Sequence, residues 1–307
     1  MSTDGSVVAE LPAAPNEPVL YQVSAAGVAL ITLNRPRRRN AWGGALTSTF
    51  FRYLESAEAD SAVRVIVITG SGGAFCVGAD MGDLGSISST TVESSRETDV
   101  TALVAEKHPY YLTQLRKPVI AAINGSVAGI GLSLALMADV RFAAAGAKFT
   151  TSFARRGLVA EYGISWILPR LCGWGTATDL LLSGRTFLAE EAAELGLVKQ
   201  VLPGDQLMDR TLAYAEDIAR NCAPSSLAVM KRQLYADAGL PIVETSNRAE
   251  QLMHESMTRS DFIEGITAFF EKRPPKFPPL LTHGDDTRGT EQIREDVGDD
   301  NAGLPSD

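Results

Sequence analysis

Two unbroken apolar runs, Val65-Ile66-Val67-Ile68-Thr69 and Pro118-Val119-Ile120-Ala121-Ala122-Ile123, each give way to a glycine-rich stretch, and this repeated pattern constrains the fold more than any other feature of the chain. The first run leads into Gly72-Gly73-Ala74-Phe75-Cys76-Val77-Gly78-Ala79-Asp80, the second into Asn124-Gly125-Ser126-Val127-Ala128-Gly129-Ile130-Gly131. Short apolar runs bounded by turn residues read as buried strands. Residues 28–33 read as a further strand, stopped by Asn34-Arg35-Pro36, and the spacing of Leu46, Phe50, Phe51 and Leu54 predicts a helix within 42–59. Residues 85–100, rich in Ser and Thr, are expected to form a mobile loop into a helix over 101–116. A helix is expected from about 129 to 139, with short strands at 140–143 and 148–150. Strand–helix alternation of this kind belongs to an α/β core with crossover helices.

From residue 189 the pattern changes to helix after helix, at 189–195, 206–221, 224–238, 242–257 and 260–270, until Lys272-Arg273-Pro274-Pro275 stops it. The organisation read from this is a flexible leader over 1–18, an α/β core over 19–204, a helical C-terminal subdomain over 205–278 and a disordered acidic tail over 279–307. Residues 282–307 hold eight acids against two arginines, with few large apolar side chains to bury.

The net charge of -9 argues against general nucleic-acid binding, which asks for a positive surface. A local basic cluster, Arg35, Arg37, Arg38 and Arg39, suits either a small phosphorylated ligand or a solvated loop. Cys76, Cys172 and Cys222 are odd in number and lack CxxC spacing, which fits inert thiols in a reducing compartment. His108, His254 and His283 have no metal-ligand spacing. The first residues lack an export signal and no apolar stretch is long enough to span a bilayer, so a cytoplasmic location is expected.

Both glycine-rich stretches can aim free backbone N–H groups at a single anionic oxygen. Ala79 has no ladder partner if its strand ends at Thr69, and Ile130 lies at a helix start, where the first N–H groups lack internal acceptors. Two such donors would stabilise a carbonyl becoming an enolate or a tetrahedral anion. The alternative is that these glycines only permit tight packing. Neither stretch matches GxxxxGK[ST] and the first lacks GxGxxG, so nucleotide readings are weak.

Ordered motifs narrow these alternatives. Leu33-Asn34-Arg35-Pro36 with Asn40-Ala41, Ala74-Phe75-Cys76-Val77-Gly78-Ala79-Asp80, Lys117-Pro118-Val119-Ile120-Ala121-Ala122-Ile123-Asn124-Gly125, Ala138-Asp139 and Phe270-Glu271-Lys272-Arg273 follow one another at characteristic separations. Through them the chain resembles the enoyl-CoA hydratase/isomerase (crotonase) family over residues 19–277. The resemblance implies a spiral of ββα units with a helical C-terminal part, homotrimers or dimers of trimers, an acyl-CoA substrate and no permanently bound cofactor. It assigns Ala79 and Ile130 to the thioester oxyanion hole, and it places coenzyme A contacts at Arg35, Ala41, Ala79, Asp80 and Lys272.

The departures are informative. The two glutamates of the family's hydratases map to Ser133 and Phe153, and neither can serve as a carboxylate base. The segment Phe153-Ala154-Arg155-Arg156-Gly157-Leu158-Val159-Ala160-Glu161-Tyr162-Gly163 is similar to that of Δ3,Δ2-enoyl-CoA isomerases, whose single glutamate maps to Glu161. Apolar neighbours would raise its pKa and make it a better base, whereas a helix N-terminus nearby would oppose the rise. Glu161 is otherwise read as a cap for the helix beginning at 164, or as a partner of Arg155 or Arg156. Asp80 either orients the first turn or marks its exit. Ser133 touches substrate or satisfies itself on its own helix. Trp42, Trp166 and Trp174 are read as core or acyl-pocket walls. The function expected is migration of a double bond between C3 and C2 of an enoyl-CoA. The alternatives are a hydratase using Glu161, an acyl-CoA-binding protein with little turnover, and other thioester chemistry on the same hole.

Overall fold

In the computed structural model, which describes residues 17–80 and 107–280, the run beginning at Val65 is a strand whose alternate residues enter two different hydrophobic cores. This strand, β3 (Val65–Gly70), sends Ile66 and Ile68 to one side and Val65 and Val67 to the other, as a side-chain period of two requires. The neighbouring β5 (Val119–Ile123) divides in the same way, with Val119, Ala121 and Ile123 on the first side and Ile120 and Ala122 on the second. Burial on both faces explains why these runs are apolar throughout rather than alternating.

These two strands lie at the centre of a six-stranded sheet with β1 (Val19–Val23), β2 (Val28–Leu33), β7 (Val140–Ala144) and β10 (Gln200–Leu202), in the order β1-β2-β3-β5-β7-β10. Only β1 runs antiparallel to its neighbour. A second sheet contains β4 (Ala74–Cys76), β6 (Ser126–Ala128), β8 (Lys148–Thr150) and β9 (Thr186–Leu188), in that order. Three times in succession, at β3/β4, β5/β6 and β7/β8, the chain places one strand in the large sheet and the next in the small one. With helices returning the chain between pairs, this is the crotonase-like spiral of ββα units. Nine helices occur among the described residues, beginning with α1 (Gly44–Ala59), α2 (Tyr111–Gln114), α3 (Ile130–Leu136), α4 (Ile164–Ser183) and α5 (Ala189–Glu194). The helical C-terminal region adds α6 (Leu207–Asn221), α7 (Pro224–Ala236), α8 (Ile242–Met257) and α9 (Ser260–Glu271).

Several elements differ from the sequence reading. Each glycine-rich stretch contains a three-residue strand, β4 or β6, so the turns of interest follow the small sheet rather than β3 and β5. The helix expected over 129–139 is confined to Ile130–Leu136, while the one beginning at 164 continues to Ser183 across a break at Gly173. Trp42 is buried against Phe50 and Phe51, but Trp174 is 80% exposed in the single chain and is no core residue. The loop expected over 85–100 lies outside the described residues, as do most of the leader and nearly all of the tail.

Helix α6 covers the outer face of the large sheet with Leu207, Ala215 and Ala219. Helix α7 is held to the core by polar groups. Asp139, just beyond α3, receives the Val119 N–H at 2.7 Å, the Lys231 ammonium at 2.7 Å and the Tyr235 hydroxyl at 3.1 Å. Lys231 also donates to the Lys117 carbonyl, while the Lys117 ammonium caps α1 through the carbonyls of Ala57 and Asp60. Burial pushes the Lys117 amine down to about 8, and it lowers Lys231 against the pull of Asp139. Removing one member of a buried ion pair strands the other charge. Lys231→Met is therefore expected to destabilise the fold by about 3 kcal/mol in chemical denaturation, with its largest effect on α7; an unchanged unfolding midpoint would refute this role for the pair.

Candidate functional site

The two turns that the sequence separates by some fifty positions are brought side by side by the small sheet. Strands β4 and β6 pair in parallel, with Ala74 opposite Ser126 and Cys76 opposite Val127. Directly beyond this ladder the chain turns at Gly78 and at Gly129. A β-carbon placed on Gly129 would stand 3.8 Å from the Gly78 α-carbon, so the turns touch. Gly129 has φ 51° and ψ -125°, a conformation costly for residues with a β-carbon, and it is the residue from which α3 starts. Gly131 is needed for a different reason, because a β-carbon there would lie 2.3 Å from the Cys76 carbonyl oxygen. The first turn of α3 can sit on the end of β4 only without that atom.

Ala79 follows Gly78. It forms an isolated parallel bridge with Trp42 in which Trp42 donates to the Gly78 carbonyl and Asp80 donates to the Trp42 carbonyl, both at 2.8 Å. That pattern omits the Ala79 N–H, which has no acceptor among the described residues and belongs to an exposed residue. The Ile130 N–H is likewise without an acceptor among them, since the first bond of α3 runs from the Ser133 N–H to the Gly129 carbonyl. Among the described residues the arrangement thus leaves two backbone donors without acceptors on adjoining turns.

Loops around this point are fixed by polar side chains. Asn40, fully buried and left-handed at φ 56°, receives the Arg35 N–H at 2.8 Å and donates to the carbonyls of Ser71 and Ala74. Asn124 receives the Gly70 N–H and donates to the Gly72 carbonyl. Asp80 is buried and binds the guanidinium groups of Arg35 at 2.8 Å and Arg38 at 2.9 Å, while Arg35 also donates to the Ala41 carbonyl. Arg35, Ala41 and Asp80, all expected at the coenzyme A subsite, are thus bonded to one another and brace the turn carrying Ala79. Arg39 reaches Ser126 on β6. Lys272 lies apart from this cluster, exposed and left-handed at the end of α9. Asn40 and Asn124 entered the sequence reading only as members of motifs, with no role assigned; their position beside glycine-rich loops was the available signal.

The positions assigned to the hydratase glutamates hold groups without acid–base capacity. Ser133 is fully buried and its hydroxyl turns back to the Gly129 carbonyl of its own helix at 3.4 Å. Phe153 is buried with its ring against Gly129, 3.9 Å from where a β-carbon would stand. Glu161 is half-buried, and its carboxylate takes part in no hydrogen bond or ion pair among the described residues. It does not cap α4, whose N-cap is Gly163. Arg155 and Arg156 are engaged elsewhere, with the Ser183 carbonyl and the Ser152 hydroxyl. Burial holds the Glu161 carboxyl above the usual carboxylate range. The segment carrying it runs along α3: Phe153 contacts Gly129 at the start of that helix, and a β-carbon on Gly163 would lie 3.0 Å from Met137 at its end.

Cys76, beside the first turn, is fully buried and its thiol is pushed up to about 12, which removes it as a nucleophile at neutral pH. Among the described residues, no three His, Cys, Asp or Glu side chains are grouped to hold a metal, and no helix is long and apolar enough to cross a membrane. A cavity of about 790 Å³ opens between α7, α9 and residues 113–116, lined by Leu115, Val229, Arg232 and Arg259, away from both turns.

Comparison with known proteins places this geometry. Residues 24–279 match the family described as enoyl-CoA hydratase/isomerase. A probable enoyl-CoA hydratase of Rhodobacter capsulatus is 36% identical over 259 residues, 84% of this chain and 97% of that protein. The 1,2-epoxyphenylacetyl-CoA isomerase of Escherichia coli is 34% identical over 258 residues, 82% of this chain and 95% of that protein. The crystal structure of an enoyl-CoA hydratase, EchA12_1, from Mycobacterium marinum superposes with a TM-score of 0.61 at 57% identity, covering 72% of this chain and 98% of that one.

The close approach at Gly131 is open to test. Gly131→Ala forces a β-carbon onto the Cys76 carbonyl, and overpacking of this kind is expected to cost about 2 kcal/mol and to lower turnover by displacing the Ile130 donor. Gly73→Ala, whose β-carbon meets nothing within 4 Å, serves as the control. Equal thermal midpoints and rates for the two variants would contradict this account of the turn.

Proposed function

Because this chain belongs to the enoyl-CoA hydratase/isomerase family, we propose that it is the isomerase type of acyl-CoA enzyme, moving a double bond between C3 and C2 of an enoyl-CoA. The observation that carries this reading is the combination of one partly desolvated carboxylate, Glu161, unpaired among the described residues, with non-acidic groups at both positions of the hydratase glutamates. The Ala79 and Ile130 N–H groups hold the thioester oxygen. The Glu161 carboxylate removes a proton from C2 of the 3-enoyl-CoA, and the electron pair of that C–H bond moves through C2 onto the held oxygen as a dienolate. The protonated Glu161 then returns the proton to C4 while electrons flow back from the oxygen. The C2–C3 double bond forms, the thioester carbonyl is restored and the carboxylate is regenerated. One base suffices because nothing but a proton is moved. Each N–H contributes where charge develops, and losing one such donor typically removes roughly 3 kcal/mol of transition-state stabilisation. Coenzyme A is the acyl carrier, with the braced Arg35–Asp80 loop beside the turn that holds its thioester. The isomerase of Escherichia coli, named for a CoA thioester, is consistent with this reading. Hydration of 2-enoyl-CoA is the second reading, favoured by the names of the Rhodobacter and Mycobacterium relatives. It would need Glu161 both to place a water and to supply a proton.

The C-terminal helices support assembly into homotrimers or dimers of trimers. Ile242, Phe269 and Phe270 are 80%, 78% and 76% exposed in the single chain, which is more apolar surface than helices usually leave to water. Light scattering is expected to give the mass of three or six copies. Phe269→Asp with Phe270→Asp should shift the protein to smaller species, and a monomeric wild type would end this reading.

Glu161→Gln is expected to abolish conversion of 3-enoyl-CoA while leaving acyl-CoA binding nearly intact. Full turnover by that variant would sink the assignment, and faster turnover of 2-enoyl-CoA than 3-enoyl-CoA by the wild type would favour hydration. The pH dependence has a defined sign. The base acts only when ionised and burial raises its pKa above the ordinary 4.5, so the acid limb of kcat/KM should lie at higher pH than for an exposed glutamate. A raised folded-state pKa means that ionisation opposes folding, with the associated stability lost as pH rises through it. Glu161→Gln should therefore leave the neutral-pH melting temperature unchanged or slightly higher.

A further inference from the structure

The turn that carries Glu161 has an unfavourable backbone. Tyr162 has φ 57° and Gly163 has φ 75°, so two consecutive residues are left-handed before α4 begins. Glycine adopts this freely, but a bulky side chain does not, because its β-carbon crowds the carbonyl oxygen that follows. Such strain persists only where the surroundings over-determine it. Here Tyr162 is half-buried against the main core, and its ring faces that of His108, with centroids 5.8 Å apart and planes at 51°.

His108 is itself firmly supported. Its ring also meets that of Tyr110, at 6.0 Å, in the turn entering α2. The preceding Lys107 lies over the Tyr111 ring at 4.4 Å and pairs with Glu55 on α1, while Tyr111 packs on Phe51 of the same helix and Leu112 is fully buried. The imidazole is therefore mounted on α1 and α2, and it bears on the residue next to Glu161. None of the steps assigned to Glu161, Ala79 and Ile130 uses it.

We propose that His108 is a positioning residue of the reaction, its ring packing on Tyr162 to hold the left-handed turn that presents Glu161 to the substrate. This rests on the reading of Glu161 as the base. Misplacing a reacting group by about 1 Å can cost on the order of 100-fold in rate. His108→Ala is accordingly expected to lower kcat by roughly 10- to 100-fold with KM within about twofold. His108→Phe keeps an aromatic ring against Tyr162 without an exchangeable proton, and should recover most of the lost turnover.

The experiment compares wild type, His108→Ala and His108→Phe in 3-enoyl-CoA turnover and in exchange of the C2 proton with solvent, with thermal unfolding measured on each. Recovery by His108→Phe at an unchanged KM supports positioning. Wild-type kcat in His108→Ala overturns the proposal. So does a His108→Phe variant that is folded but as slow as His108→Ala, because the imidazole would then act by its protons. Retained C2 exchange in Glu161→Gln would instead remove the base assignment, a separate result that the His108 variants do not produce.

Discussion

The short parallel ladder between β4 and β6 is the interaction on which the site depends. Two strands of three residues contribute little stability alone, but their register sets Gly78 against Gly129 and so brings two distant backbone N–H groups to adjoining turns. The contact is possible only because Gly131 presents no β-carbon to the Cys76 carbonyl. The large sheet anchors this ladder. β3 and β5 are buried on both faces, and each feeds directly into one of the short strands, so the rigidity of the main core is passed on to the turns at Gly78 and Gly129.

Polar groups then fix what the apolar core cannot. Asn40 and Asn124 satisfy backbone groups of the loops flanking the ladder, and Asp80 holds Arg35 and Arg38 beside the Ala79 turn. These residues work against each other's desolvation, because a buried carboxylate is tolerated only with charged donors around it. Glu161 is the contrasting case. It is partly removed from water without an ion-pair partner among the described residues, and burial raises its carboxyl pKa. The fold therefore holds one carboxylate, Asp80, fixed by arginines and another, Glu161, with no such partner among the described residues.

Much of this was legible in the chain itself. The α/β class followed from apolar runs alternating with helical spacing, and helices such as Ile242–Met257 match their expected bounds because a long amphipathic period is hard to mistake. Of the three-residue strands, β8 was read at its observed bounds, whereas β4, β6, β9 and β10 were not, since so short a segment has no period and is stabilised only by its neighbours. The basic cluster was open to two interpretations. That Arg35 and Arg38 bond to Asp80 and Arg39 to Ser126 depends on residues far away in sequence. Likewise, nothing in the spacing of His108 placed its ring beside Tyr162.

The amino-acid sequence by itself determined the chemical inventory: the glycine-rich stretches, the absence of acids at Ser133 and Phe153, and the isolated Glu161. Those are properties of residue identity and local order, which composition and motif reading can reach. Only the tertiary structure decided that the Ala79 and Ile130 N–H groups, on touching turns, both lack acceptors among the described residues, that Glu161 neither caps α4 nor pairs with Arg155 or Arg156, and that Asp80 faces inward to arginines. The reason is that backbone donors look alike in every sequence. Whether one is satisfied, and whether a carboxylate keeps its water, depends on which distant atoms the packed chain brings within hydrogen-bonding distance.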